Sequence, residues 1–276
     1  MSAERSVLIT GAGSGIGLGL AQAMRDRGWS VTAAIRNPER PPPGLEGTRT
    51  VALDLADEAQ IEAAAAQFVA LDCLVNNAGY ALTGPFAGYG AEQIRHQLEV
   101  NLVGPALLTQ RLLPALKRTA GRVINVSSIA GEAGIPMSAL YCASKFAIEG
   151  LTESLRHELA DAGVQVALVE PGGFRTRFAS NMKWGRHALE PGSVEARQLE
   201  GHRAMLAKML AREGRDPAPV IEAIADLATM KSMPLRTRVG GDVRSVRLLK
   251  RWLPERLFLK IMHAAFRRRM AVAERA

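Results

Sequence analysis

The sequence predicts a doubly wound α/β fold, a mostly parallel sheet with helices on both faces. Two observations point to it. Apolar runs of strand length alternate with helical stretches over the first 170 residues, and most of these runs are apolar throughout, as strands buried on both faces are. A glycine-rich turn also separates the first such run from the first helical stretch, ten residues into the chain.

Taken in order, the strands expected are Ser6–Thr10, Ser30–Ile35, Thr50–Leu53, Cys73–Asn76, Arg122–Ser127 and Gln165–Glu170. Helical patterns lie between them at Gly15–Arg27, Asp57–Ala70, Ala91–Lys117 and Ser138–Ala160. Arg36 to Thr48 holds four prolines and two glycines and reads as a loop. From Phe174 to about Pro219 the pattern loosens, without strand character. A segment placed after the sixth strand hangs over the carboxyl edge of the sheet, where such folds bind ligands, so it reads as a substrate lid, with a surface helical pair as the plainer alternative. Residues 1–240 are expected to form the catalytic domain and 241–276 a basic, helical tail.

The chain has 276 residues, 47% of them apolar and 22% charged, the balance of a folded globular protein and not a disordered one. Cys73 and Cys142 cannot make a disulfide framework, and Cys73 sits in an apolar run, which fits a reducing cytosol. No metal-ligand spacing occurs among the five histidines and two cysteines. The sequence passes from Met-Ser-Ala-Glu-Arg straight into a strand, and no apolar stretch approaches the length of a membrane span. A cytoplasmic protein is therefore expected. The net charge of +8 is uneven: Lys231–Ala276 carries 13 Lys/Arg and 3 Asp/Glu, a balance of +10, which leaves −2 for the rest. A near-neutral body with a basic tail does not imply nucleic-acid binding.

Thr10-Gly11-Ala12-Gly13-Ser14-Gly15-Ile16-Gly17 follows the first strand and opens a helix. Glycines allow a tight turn and close approach of the backbone to a pyrophosphate, whose charge the free N–H groups of the helix N-terminus bind. Gly11, Ser14, Gly15, Ile16 and Gly17 are the candidate contacts. Dinucleotide folds that prefer NAD hold the ribose 2′-hydroxyl with a carboxylate at the end of the second strand. Here Ile35 stands at that place and Arg36 is next, a residue suited to a 2′-phosphate, so the expected cofactor is NADP(H).

Tyr141 and Lys145 lie four apart in a helical segment and share one face. An ammonium near a phenol favours the phenolate, making the pair a proton donor or acceptor for a carbonyl oxygen. Ser128, thirteen residues upstream at a strand end, is placed to donate a hydrogen bond to the same oxygen, with Ser127 as its rival. Pro105 has no N–H to give the carbonyl of Asn101, so a freed main-chain acceptor is expected at Asn101.

These residues resemble the short-chain dehydrogenase/reductase family. Glycines at 11, 15 and 17 behind Thr10, then Asn76-Asn77-Ala78-Gly79, Asn101, Ser128, Tyr141-Cys142-Ala143-Ser144-Lys145 and Pro171-Gly172 follow in that family's order and spacing. The resemblance implies a Rossmann-like fold and hydride transfer between nicotinamide and a carbonyl or secondary alcohol. It implies catalytic roles for Asn101, Ser128, Tyr141 and Lys145, the asparagine holding a water that relays protons to the lysine. It further implies cofactor contacts at Asp54, Leu55, Asn77, Ala78, Gly79, Tyr141, Lys145, Pro171, Gly172 and Thr176. Homodimers or homotetramers built partly on the helices of Asn101 and Tyr141 are implied as well.

Tyr141 to Leu151 looks like the 17β-hydroxysteroid and retinol dehydrogenase branch, which implies a bulky apolar substrate such as a steroid, retinoid or long-chain carbonyl. A 3-ketoacyl carrier-protein reductase is the alternative enzyme, and an NADPH-binding sensor or scaffold without turnover the alternative of another class. In the tail, nine basic residues between Arg244 and Arg269 accompany apolar residues at helical spacing, with Pro254 starting a second helix. Two readings stay open for it: an apolar face packed on protein, or peripheral contact with an anionic membrane.

Overall fold

Seven strands hydrogen-bond side by side, all parallel, in the computed structural model, which describes residues 4–174, 178, 180–211 and 215–274. They are β1 (Ser6–Thr10), β2 (Ser30–Ile35), β3 (Arg49–Ala52), β4 (Cys73–Asn76), β6 (Arg122–Val126), β7 (Gln165–Pro171) and β9 (Arg236–Val239). A two-stranded sheet joins β5 (Leu82–Thr83) to β8 (Lys183–Trp184). The order β3-β2-β1-β4-β6-β7-β9 reverses direction between β1 and β4, where doubly wound sheets open a ligand crevice.

The helices are α1 (Gly15–Asp26), α2 (Glu58–Ala65), α3 (Ala91–Leu98), α4 (Gly104–Arg118), α5 (Ala139–Glu158), α6 (Val194–Ala211), α7 (Ala218–Thr229), α8 (Gly241–Trp252) and α9 (Glu255–Glu274). Alternate residues of β1 divide the core. Val7 and Ile9 pack with Leu20 and Met24 of α1 and Ile224 of α7, while Leu8 packs with Ile61 of α2 and Leu108 and Leu112 of α4. Parallel strands buried on both faces need this two-sided cover.

Most predicted elements are present, and the differences have local causes. The long helix expected over 91–117 is broken by a π turn at Glu99–Val103, just before Pro105. A π turn re-routes the ladder where a proline removes a donor. Helix α2 stops at Ala65 and not Ala70, because Gln67 and Phe68 close tighter bonds to Ala64 and Ala65. Lys183–Trp184 pairs as a short strand in the segment read as having none. Strand β9 was not anticipated, since Arg-Thr-Arg-Val carries no apolar run; its arginines are accommodated by ion pairs.

The tail is helical from Gly241, with α9 beginning after Pro254 as expected. Val243 and Phe258 are buried, and Phe266 approaches the His202 ring of α6 at 6.4 Å, so one side of the tail packs on its own subunit.

Gly104 shows how tightly α4 seats on the loop after β3. A Cβ there would overlap the carbonyl oxygen of Leu55 and lie 2.7 Å from its Cβ. Backbone cannot move aside cheaply, so Gly104→Ala is expected to destabilise the fold by about 1–3 kcal/mol. Urea denaturation checks this: the midpoint should fall with the slope unchanged.

Candidate active site

Thr10 ends β1 with a buried hydroxyl that accepts the N–H groups of Asn77 and Ala78, each at 3.0 Å. Asn77 in turn donates its side-chain amide to the Thr10 carbonyl at 2.9 Å. The loop after β4 is thereby fastened to the loop after β1. Gly11 has φ +66°, and a Cβ on it would come 2.9 Å from Ala78 Cα; a Cβ on Gly17 would overlap the Gly11 carbonyl oxygen and the Asn77 amide nitrogen. Only glycine fits this crossing. Ser14 stands extended at the N-cap of α1, and its side chain makes no capping bond. The first amides of α1 therefore lack that partner, and the cradle fits a pyrophosphate. Gly15, at φ +55°, and Ile16 continue the turn into the helix.

Past β2, Ile35 is buried while Arg36 is exposed and pairs with no carboxylate among the described residues. Ile35 lies against the loop, its Cγ2 3.5 Å from where a Cβ of Gly13 would stand, which places Arg36 at the rim of the cradle. Asp54 is half-buried and accepts the Ala56 N–H at 3.0 Å. Leu55 is buried in the core beside Gly104.

Ser128 follows β6, its hydroxyl accepting the Ala130 N–H at 3.2 Å and facing the Tyr141 hydroxyl. Ser127, its rival, turns the other way, toward Glu149. Tyr141 and Lys145 project from the first turns of α5, the lysine Nζ 5.8 Å from the phenol ring centroid. Both are buried. Nζ donates to the Val126 carbonyl at 2.7 Å. Burial pushes the Tyr141 phenol up to about 12, with the Ser128 hydrogen bond opposing, and pulls the Lys145 ammonium down to about 8. The expectation that Lys145 lowers the Tyr141 pKa is thus corrected for the protein alone: desolvation dominates, and the phenol stays protonated.

Asn101 lies in the π turn, 3% exposed. Its side chain is fully engaged, accepting Tyr80 N–H at 3.1 Å and donating to Tyr80 O at 2.9 Å and Ser144 Oγ at 3.1 Å. A Cβ on Gly79 would come 3.2 Å from Asn101 Oδ1, so the turn sits directly against the loop after β4. Pro171 closes β7, and Gly172 donates to Val239 O at 2.9 Å. Thr176 lies outside the described residues.

The structure adds residues that the sequence reading passed over. Asp242 of α8 accepts the Gly173 N–H at 2.7 Å and pairs with Arg215 at 2.9 Å, bracing the loop after β7. Ser144 joins Asn101 to the Tyr141 carbonyl at 2.7 Å. Glu149, one turn beyond Lys145, is buried; the i, i+4 spacing was available to find it.

A glycine cradle at the point of strand reversal, beside a buried Ser-Tyr-Lys group, defines a dinucleotide-binding oxidoreductase class. Residues 5–186 match the family model for short chain dehydrogenase, and the chain belongs to that family. It is 31% identical over 270 residues to the 3-ketodihydrosphingosine reductase of Bacteroides thetaiotaomicron, covering 94% of this chain and 97% of that protein. It is 36% identical over 233 residues to the 17-beta-hydroxysteroid dehydrogenase type 1 of Mus musculus, covering 78% and 68%. A short chain dehydrogenase from Burkholderia cenocepacia, solved in complex with NADP, is 25% identical with a TM-score of 0.75, covering 96% of this chain and 99% of that one.

Burying Lys145 costs stability. Its pKa falls from 10.5 to about 8 on folding, so below pH 8 the folded state carries the full penalty, roughly 3 kcal/mol. Between these values the unfolded chain binds the additional proton, and the penalty disappears as pH rises. Lys145→Met is therefore expected to be more stable than wild type by about 1–3 kcal/mol at pH 7, with the gain shrinking toward pH 10.5. Urea unfolding across this range measures it; a constant difference would contradict the assignment.

Proposed function

We propose that this protein is an NADP(H)-dependent reductase of bulky, apolar ketones or aldehydes. The observation that carries the reading is the buried Tyr141 hydroxyl facing Ser128, with Lys145 one turn along the same helix face. NADP(H), when bound in the glycine cradle, supplies or accepts the hydride. Tyr141, held protonated by burial, gives its proton to the carbonyl oxygen in reduction and recovers it in oxidation. Ser128 donates a hydrogen bond to that oxygen as charge gathers on it. Lys145 and Asn101 hold the proton path behind the phenol, and Arg36 at the rim takes the 2′-phosphate.

An apolar substrate is supported by what surrounds the phenol. Ala81, Ala130, Ile135, Phe178 and Met182 cluster on Tyr141, with the Phe178 ring 5.4 Å away. Phe178 and Met182 belong to the segment over the carboxyl edge, which serves as the lid. The two relatives named above are, by their names, a reductase of 3-ketodihydrosphingosine and a dehydrogenase of a 17-beta-hydroxysteroid. Turnover of steroid ketones, retinal, long-chain aldehydes and a ketoacyl thioester with NADPH is expected to favour the first three. Tyr141→Phe should lose at least about 100-fold in kcat. Arg36→Ala should raise KM for NADPH about 10- to 100-fold while leaving NADH unchanged. NADPH binding without turnover of any of these would favour the sensor.

The tail supports a second reading, peripheral membrane contact. While Val243 and Phe258 face the body, Trp252 is 74% exposed and Leu248, Leu249, Leu257, Leu259 and Ile261 are exposed beside it. Arg244, Arg251, Arg256 and Lys260 surround them, also exposed. No described helix is long and apolar enough to cross a membrane, so contact through this face is interfacial. A dimer or tetramer on α4 and α5 would meet Phe146, over which Lys250 of the tail stands at 5.1 Å. Co-sedimentation with phosphatidylglycerol vesicles is expected and should weaken in high salt and in Trp252→Ala. Equal binding to neutral vesicles, or none, would overturn it.

A further inference from the structure

Tyr141, Lys145 and Glu149 occupy successive i, i+4 positions on α5, so one buried helix face carries a phenol, an ammonium and a carboxyl in a row. The proposed reaction uses the first two. Glu149 is reached from two further elements. Arg236 of β9 donates to it through Nε at 2.8 Å, and the Ser127 hydroxyl lies beside it over Gly131. Gly131 leaves room for this meeting: a Cβ there would come 2.6 Å from Ser127 Oγ and 3.1 Å from Glu149 Oε1.

The cluster extends away from the site. Arg236 also pairs with Glu170 of β7 at 3.2 Å and with Glu153. Arg238 pairs with Glu170 at 2.9 Å and Glu132 at 2.7 Å, and Arg247 of α8 with Glu132 at 3.2 Å. Four carboxyls thus meet three guanidiniums. Lys145, at the inner end, is the fourth cation.

We infer that Glu149 is a positioning residue for Lys145: its carboxylate, held by Arg236 one turn along the same buried helix face, supplies the countercharge for the ammonium that the Val126 carbonyl anchors at the end of β6. The inference rests on the reading of Lys145 as part of the nucleotide and proton-handling group, and it adds the reason that a buried lysine can serve there. Burial works against the ammonium, and Glu149 is the group that opposes it. Among the described residues seen in contact with the lysine, Val126 offers a carbonyl and Tyr141 a protonated phenol, neither of them a countercharge. Glu170 is further back, and burial together with Glu149 pushes its carboxyl up to about 8.

A double-mutant cycle on the nucleotide-free protein tests this, using Glu149→Gln, Lys145→Met and the pair in urea unfolding at pH 7. An attractive coupling of about tenfold in the folding equilibrium is expected; less than about twofold would overturn the inference. NADPH fluorescence titrations across pH provide the second readout. Glu149→Gln should move the alkaline loss of affinity down by about one pH unit, Ser127→Ala by less, and Glu149→Asp should restore it. Coincident profiles of wild type, Glu149→Gln and Ser127→Ala would overturn it as well. Ser127→Ala removes one hydroxyl and keeps the test alive if Glu149→Gln does not fold. Failure of wild type to bind NADPH would refute the dinucleotide reading alone, because the urea cycle still decides the role of Glu149.

Discussion

The closeness of β1 and β4 where the strand order reverses governs the rest of the site. Two parallel strands diverge beyond their last shared hydrogen bond unless something ties them. Here the Thr10 hydroxyl, accepting two amides of the Asn77–Ala78 loop, does so from inside the sheet. The tie brings Gly11 so near Ala78 that neither Gly11 nor Gly17 tolerates a side chain. The glycines leave the amides of α1 facing an open rim, and Gly79 carries the same loop onward to Asn101. Cofactor cradle and π turn therefore share one anchor. A hydroxyl-to-amide tie of this kind is individually modest, but when buried it is costly to leave unmade.

A second set of buried polar groups fixes α5 relative to that anchor. Asn76 and Asn125 are cross-strand partners on β4 and β6. Asn76 donates to Asn125 at 2.8 Å and to Thr109 of α4 at 3.0 Å, and Asn125 donates to Thr152 of α5 at 2.8 Å. In a sheet otherwise covered by aliphatic side chains, each of these groups must find a partner, so the contacts set helix position more sharply than apolar packing alone. Three turns before Thr152 on the same helix stands Tyr141. The phenol meets Ser128 because α5 is fixed at its middle by β6, the strand that also delivers the serine.

Legibility in the sequence followed locality. Strands β1, β2 and β4 are legible to the residue, because each is a short, largely apolar run that ends where the pattern breaks: Gly11 after Thr10, Arg36 after Ile35, and the Asn76–Asn77 pair. The glycine cradle and the Tyr141–Lys145 pair were readable because their chemistry depends on residues within one turn or loop. What depended on partners distant in sequence was not readable. Strand β9 looks like a polar loop until Glu170 and Glu149, which pair with its arginines, are brought alongside. Asp242 carries no sign in the sequence that it braces Gly173 across 69 positions. The Tyr141 pKa was misjudged for a related reason: the nearby lysine was visible, but the depth at which the pair is buried was not.

The same long-range pairing changes how the charge asymmetry should be read. A balance of +10 after residue 230 against −2 before it suggests a neutral body trailing a free cationic segment. Yet Arg236, Arg238 and Arg247 point back into the body and are matched there by Glu132, Glu149, Glu153 and Glu170. Those carboxyls belong to the nominal −2, so part of the segmental imbalance is internal and contributes no outward field. The charge left to act on surroundings is that of the exposed side of α8 and α9, where it accompanies Trp252 and the exposed leucines. Cations laid beside apolar side chains have a short reach in salt, so such a surface works at contact distance. The cationic stretch after residue 230 thus divides in two: guanidiniums on β9 and at Arg247 that pair with carboxyls of the body, and an exposed side of α8 and α9 that carries cations beside apolar side chains.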